Sequence, residues 1–381
     1  MIVLLFGHLL AGIFLLLVCT STLRAADSAA SPPLPLGLPP LPPPPADNPP
    51  TPEKVALGRR LFFDRRLSPN DTMSCAMCHL PTQGFTVNET RLAVGINGHT
   101  TRRNPPTLYN VAYQRLLFHD GREFALEDQV ISPLTNPMEM GNPSIGYIVN
   151  KIRELPGYRE QFQQAFAEDV SVATLGKALA SYERTLLSGN SPFDRWYFGR
   201  EKDAVSDQVK AGFKIFRGKG QCFTCHTIDK IGTLFSGQGF RNTGVAQLTL
   251  IPEKQVEVDL GGGLKTQMPR AQVDEILTPP GKDLGRYEVT LDPTDVWRYK
   301  TPSLRNIALT APYMHNGVLL TLEDVIEYYD HGGTGADGQD PRVSPLHLKP
   351  EEKQALLALL RSFTGDNVAL LAQEGAVAEE W

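Results

Sequence analysis

Two short motifs constrain this chain more than anything else in it: Cys75-Ala76-Met77-Cys78-His79 and Cys222-Phe223-Thr224-Cys225-His226. Cys-x-x-Cys-His is the pattern of covalent c-type haem attachment. The spacing has a chemical reason. Two thiols add to the two vinyl groups of the macrocycle, and the next residue, His, reaches the iron from the same face. A thioredoxin-like redox pair needs a strand–helix–strand setting, which neither copy has. A zinc site would join the two pairs and leave the identical His after each unexplained. The chain therefore has to fold around two haem c groups, one on Cys75, Cys78 and His79 and one on Cys222, Cys225 and His226. Only one further Cys, Cys19, is present, so none downstream remains for a disulfide.

The length of 381 residues suits two or three domains. A net charge of -5 without a basic stripe argues against nucleic acid as a partner and suits a basic redox protein without identifying one. Residues 2–18 are almost wholly apolar, and Leu23-Arg24-Ala25-Ala26 follows. This reads as an export signal over residues 1–26, removed near Ala25 or Ala26 together with Cys19. No Lys or Arg precedes the apolar run, so retention as an uncleaved anchor stays open as the alternative. Haem attachment outside the cytoplasm fits a periplasmic location. Residues 27–52 are dominated by Pro, which predicts an extended linker or a disordered leader.

The folded body is expected to start with a helix capped by Thr51, with Pro52 in its first turn. Apolar periodicity predicts further helices near 144–154, 171–187, 203–217, 321–329 and 350–363. Strand-like alternation is sparse. The expected fold class is mainly α: two cytochrome c-like haem domains with long loops, an N-terminal one over 53–200 and a C-terminal one over 201–381 that ends in an acidic tail.

Several longer segments resemble the bacterial di-haem cytochrome c peroxidases and their MauG branch. They are Leu57-Gly58-Arg59-Arg60-Leu61-Phe62-Phe63-Asp64, Arg103-Asn104-Pro105-Pro106-Thr107, Asp120-Gly121-Arg122, Thr301-Pro302-Ser303-Leu304-Arg305-Asn306 and Ala311-Pro312-Tyr313-Met314-His315. The likeness runs from Thr51 to about Thr364, in family order. It implies that the first haem, on His79, reacts with hydrogen peroxide, and that Gln129 and Glu139 are the catalytic groups above it. Peroxide must lose a proton from the oxygen that binds iron and gain one on the oxygen that leaves. A carboxylate can carry that proton while an amide orients the peroxide. The resemblance also implies a calcium ion held by the Asn104 side chain and the Thr310 and Pro312 carbonyls.

Three positions depart from the classical members. The Met that ligates the second haem is replaced by Tyr329, the MauG-type arrangement; an anionic phenolate favours oxidised iron. Tyr328 and Met314 are the alternative ligands at that haem. In the loop after the first motif, Gly95 stands where a capping His is usual, with His99 out of register, so the first haem is expected to be open at rest. His119 stands where a Trp between the haems is usual. The resemblance implies an exported di-haem peroxidase fed by a small cytochrome c or cupredoxin, as a homodimer in many members. The alternatives are a MauG-like oxidase that modifies Trp or Tyr of a partner protein and, in a different class, a non-enzymatic di-haem electron carrier.

Overall fold

The computed structural model describes residues 34–248, 255–259, 264–269 and 283–373. The expected export signal and the acidic tail beyond residue 373 lie outside the described residues. Among those described, no helix is long and apolar enough to cross a membrane. The architecture is mainly α. In chain order the helices are α1 (Pro52–Phe63), α2 (Cys75–Cys78), α3 (Leu126–Gln129), α4 (Ile131–Thr135), α5 (Ile145–Glu154), α6 (Tyr158–Phe166), α7 (Val172–Glu183), α8 (Pro192–Tyr197), α9 (Asp207–Arg217), α10 (Tyr287–Thr290), α11 (Leu322–Asp330), α12 (Pro350–Arg361) and α13 (Val368–Ala372). Two small antiparallel pairs complete it: β1 (Phe240–Arg241) with β4 (Tyr299–Lys300), and β2 (Gln255–Asp259) with β3 (Lys265–Pro269).

The helices begin where side chains satisfy their first amide groups. Thr51 accepts from the Lys54 amide, with Pro52 in the first turn, as its sequence predicts. Ser144 caps α5, and Ser171 and Thr174 form a reciprocal capping box on α7.

The apolar faces make two cores. One joins α1, α5, α6 and α7 through Leu57, Leu61, Phe62, Ile152, Phe162, Leu175 and Leu179, all nearly or fully buried. The other gathers Phe193, Phe213, Phe216, Phe235, Leu359 and Phe363. Phe235 and Phe363 stack in it with centroids 4.0 Å apart. Both cores use the same device. A Cβ on Gly58 of α1 would lie 1.9 Å from the Ala178 carbonyl oxygen of α7, and one on Gly212 of α9 would lie 2.1 Å from that of Ala355 in α12. Only glycine lets these helix backbones meet so closely. Each pair flanks one Cys-x-x-Cys-His motif in the chain.

The proline-rich segment departs from the tether or leader expected of it. From residue 34 it lies against the body as a strap. Leu38 is 4% exposed and packs with Tyr113 and Leu234. The Gly37 carbonyl accepts from Thr233 N (2.8 Å) and from the Arg305 guanidinium. Farther along, Asn48 is 1% exposed and donates to Glu127 (2.8 Å) and to the Lys177 carbonyl (3.1 Å). Proline removes backbone donors, but carbonyls remain, and buried donors of the body satisfy them.

Candidate active site

One cavity of about 860 Å³ runs through the molecule between the two motifs. Cys75, Cys78, His79, Gln129 and Glu139 line its first end, Cys222, Cys225, His226 and Tyr329 its second, and Asn104, Thr310 and Pro312 the wall between. Every site residue expected from the sequence faces this space.

Both motif histidines are aimed by the same contact. His79 Nδ1 meets the Phe85 carbonyl at 3.0 Å, and His226 Nδ1 meets that of Phe235 at 2.8 Å. Donation from Nδ1 fixes the tautomer and leaves Nε2 as an acceptor for a metal. Burial lowers the pKa of both rings, which keeps them neutral as ligands must be. The four motif Cys form no disulfide. Thiol pairs, oriented imidazoles and an enclosed, largely apolar space fit two covalently held haems.

At the first end, Glu139 is pushed above its ordinary pKa by burial, while Arg122 and a 2.7 Å hydrogen bond from Asn136 Nδ2 pull the other way. Gln129 ends α3 and lines the same wall. The loop that would carry a capping His instead packs on the Glu139 segment. Ile96 N donates to the Glu139 carbonyl (2.7 Å), and a Cβ at Gly95 would lie 2.1 Å from the Met138 carbonyl oxygen. His99 is exposed and does not line the cavity.

At the second end, α11 separates its adjacent tyrosines. Tyr328 donates to the Thr243 carbonyl at 2.7 Å. Tyr329 faces the cavity beside Cys222 and Cys225, and burial raises its pKa strongly. Met314 also lines the cavity.

Between the two ends, Asn104 Nδ2 donates to the Pro312 carbonyl at 3.0 Å, so two of the three residues expected around calcium meet directly. The His119 ring donates to the Asn104 carbonyl at 2.8 Å, and burial lowers its pKa to about 4. His315 stacks on Tyr299 at 3.6 Å between centroids. Arg103 joins Asp120 and Asp283 at 2.6 Å each, a bridge between segments far apart in sequence. His331 and His347 are exposed, as their setting suggests.

A family model described as di-haem cytochrome c peroxidase matches residues 52–202. Cytochrome-c peroxidase IdrP1 of Denitromonas iodatirespirans is 36% identical over 355 residues, covering 91% of this chain and 90% of that one. This chain belongs to the di-haem cytochrome c peroxidase family. Methylamine utilization protein MauG of Methylorubrum extorquens is 35% identical, covering 86% of this chain and 83% of its own. The crystal structure of a MauG-like protein associated with microbial copper homeostasis superposes with a TM-score of 0.72 at 31% identity, over 89% of this chain and 97% of that one. As a di-haem peroxidase the chain is an oxidoreductase, and its mainly helical body matches solved relatives of that family.

Sequence reasoning passed over three groups that this peroxidase turns toward its cavity. Lys300 is partly buried, with its pKa lowered to about 8 by desolvation, and its Nζ lies 2.5 Å from Gln114 Oε1. Tyr299 precedes it. Glu183 closes α7 on the apolar stripe of Leu175 and Leu179, one turn apart. An acid in register with buried leucines was the signal available for the last.

Proposed function

We propose that this chain reduces hydrogen peroxide to water in the Cys75–His79 pocket, with electrons that enter through the Cys222–His226 pocket from a small cytochrome c or cupredoxin. The observation that carries the reading is Glu139, its pKa raised by desolvation, on the same cavity wall as Gln129 and the first motif. The two haems would supply an iron that takes peroxide in one pocket and an electron store in the other. Glu139 accepts the proton of the oxygen nearer His79 and returns it to the departing oxygen. Asn136 holds the carboxyl through Oε1 and Gln129 orients the peroxide. Each peroxide takes up two electrons and two protons and leaves as two waters. Glu139→Gln keeps the shape but carries no proton in this way. Its kcat with a reduced cytochrome should fall by about 10²–10⁴-fold; unchanged turnover would remove Glu139 from the mechanism.

Tyr329 supports the second reading, a MauG-like oxidase whose electrons come from Trp or Tyr residues of a partner protein. In either case Tyr329 and His226 would be the residues that hold the second haem's iron, since Tyr328 is committed to Thr243. Sustained peroxide turnover with a generic reduced cytochrome separates the readings in favour of the first.

The apolar N-terminal run and the haem chemistry support action in the periplasm. Calcium between the pockets would need the Asn104 side chain turned over, so that its oxygen and not its nitrogen faces Pro312. Metal analysis of gently purified protein tests this, with one calcium per chain expected.

A further inference from the structure

Glu183 is an acid of the cavity wall that the peroxide chemistry above leaves without a task. It is 5% exposed, and its Oε2 is buried without a hydrogen-bond partner. The nearest cation in sequence acts on it only through space. Arg184 gives one Nη to each oxygen of Glu127, at 2.6 and 2.9 Å, so that charge is already matched. On the cavity side Glu183 is close enough to Cys75 that its charge adds to the upward shift of the thiol. α7 sets it there. Gly176, two turns earlier, presses against the Glu127 carbonyl, and Leu175 and Leu179 fix the rotation of the helix in the first core.

A carboxylate in such a place is disfavoured, because burial strips it of solvation by more than the charge of Arg184 returns. The neutral acid is tolerated. An electron that arrives in the same low-dielectric pocket adds negative charge, so it raises the affinity of this carboxyl for a proton.

We propose that Glu183 couples the redox change of the first pocket to a proton: it binds one from solvent as an electron arrives there and releases it as the electron leaves. Per reduction, one electron comes from the redox donor and one proton from water, and the carboxylate becomes the acid. Re-oxidation by peroxide returns both. The inference rests on the first motif holding a haem.

The groups facing Glu183 are few. Its own helix brings Arg184, and α3 brings Glu127, mutually paired. α2 contributes Cys75 and Cys78, and Glu139 stands across the pocket. α1 turns Arg60 to Gln161 and Lys54 to the Pro49 carbonyl, and α5 turns Arg153 to Asp169. Arg184 acts on Glu183 through space and lowers its pKa, Glu127 raises it, and burial outweighs both. Burial lifts the Glu183 pKa from its ordinary 4.5 to about 8, which puts the coupling near neutral to mildly alkaline pH.

The test is a redox titration of the two-haem protein over a series of pH values around 8, each haem followed by its own optical and EPR signals. In the wild type the first haem's midpoint should fall with rising pH, with a slope approaching one proton per electron. Glu183→Gln should flatten that slope near pH 8, and Glu183→Asp should keep it at a displaced pH. The second haem should behave alike in all three. Wild type and Glu183→Gln with parallel slopes, both haems in place, would overturn the proposal while leaving the peroxidase reading intact. Wild type without haem on the first motif would overturn both. If the Glu183 variants do not accumulate, infrared difference spectra of the Glu139→Gln protein decide. Reduction should increase the carbonyl band of a protonated carboxylic acid, and its absence would overturn the proposal.

Discussion

At the scale of single residues, burial that outweighs its compensation governs the site. Glu139 and Glu183 are both held above the ordinary carboxylate range by desolvation. Folding therefore favours their protonated forms. The stability this contributes is complete below about pH 4.5 and is lost as pH rises toward the folded pKa, about 8 for Glu183. Glu183→Gln should accordingly gain thermal stability relative to the wild type as pH rises from 4.5 to 8; melting curves at both ends of that range check the sign. Tyr329→Phe removes the phenol that α11 turns to the cavity. The second haem should pass from low-spin to high-spin or to another ligation, seen by EPR. The two thiol pairs and their histidines were legible because attachment chemistry dictates their spacing. Gln129, Glu139 and Tyr329 were legible only by resemblance, since nothing local distinguishes them from an exposed helix residue, a loop acid and a core aromatic. Glu183 was missed for the opposite reason: an acid in a helix reads as a solvated charge until its neighbours are known.

At the scale of elements, periodicity found most of the long helices to within a few residues but missed α6. α5 runs 145–154 against 144–154 expected, and α12 runs 350–361 against 350–363. The short helices α8 and α10 carry too little pattern to register. The strap was not legible, because its proline content states what it cannot form and not what it can touch. Arg305 is the clearest example. The guanidinium, 1% exposed, meets both oxygens of Asp194 at 2.9 and 3.0 Å, and also the Thr233 and Gly37 carbonyls. Removing one partner leaves a buried charge uncompensated. Arg305→Ala should cost about 3–5 kcal/mol in denaturant titration, whereas Thr51→Ala, which removes one helix cap, should cost about 1 kcal/mol.

At the scale of the molecule, one continuous cavity joins both motifs, and no histidine of the 94–100 loop lines it. The fully oxidised protein should therefore consume its first equivalent of peroxide as fast as protein whose second haem has been pre-reduced. A stopped-flow comparison checks this, and a reaction seen only after pre-reduction would point to a closed first pocket. The cavity wall also shows why His119 need not be read through the Trp it replaces. Its nitrogen is spent on the Asn104 carbonyl, in the stretch where Arg103 ties Asp120 to Asp283. The positions that set the two pockets apart in chemistry are thus embedded in contacts that hold them together.

The strap bears on the order of synthesis. Gly37 leaves the ribosome 268 residues ahead of Arg305, the side chain that clasps it. Leu38 likewise waits for Leu234. The segment made first among the described residues can dock only when most of the chain is available. A nascent chain truncated before residue 305 can form the α1–α7 crossing but not this clasp. Completion of the molecule is thus registered at its beginning.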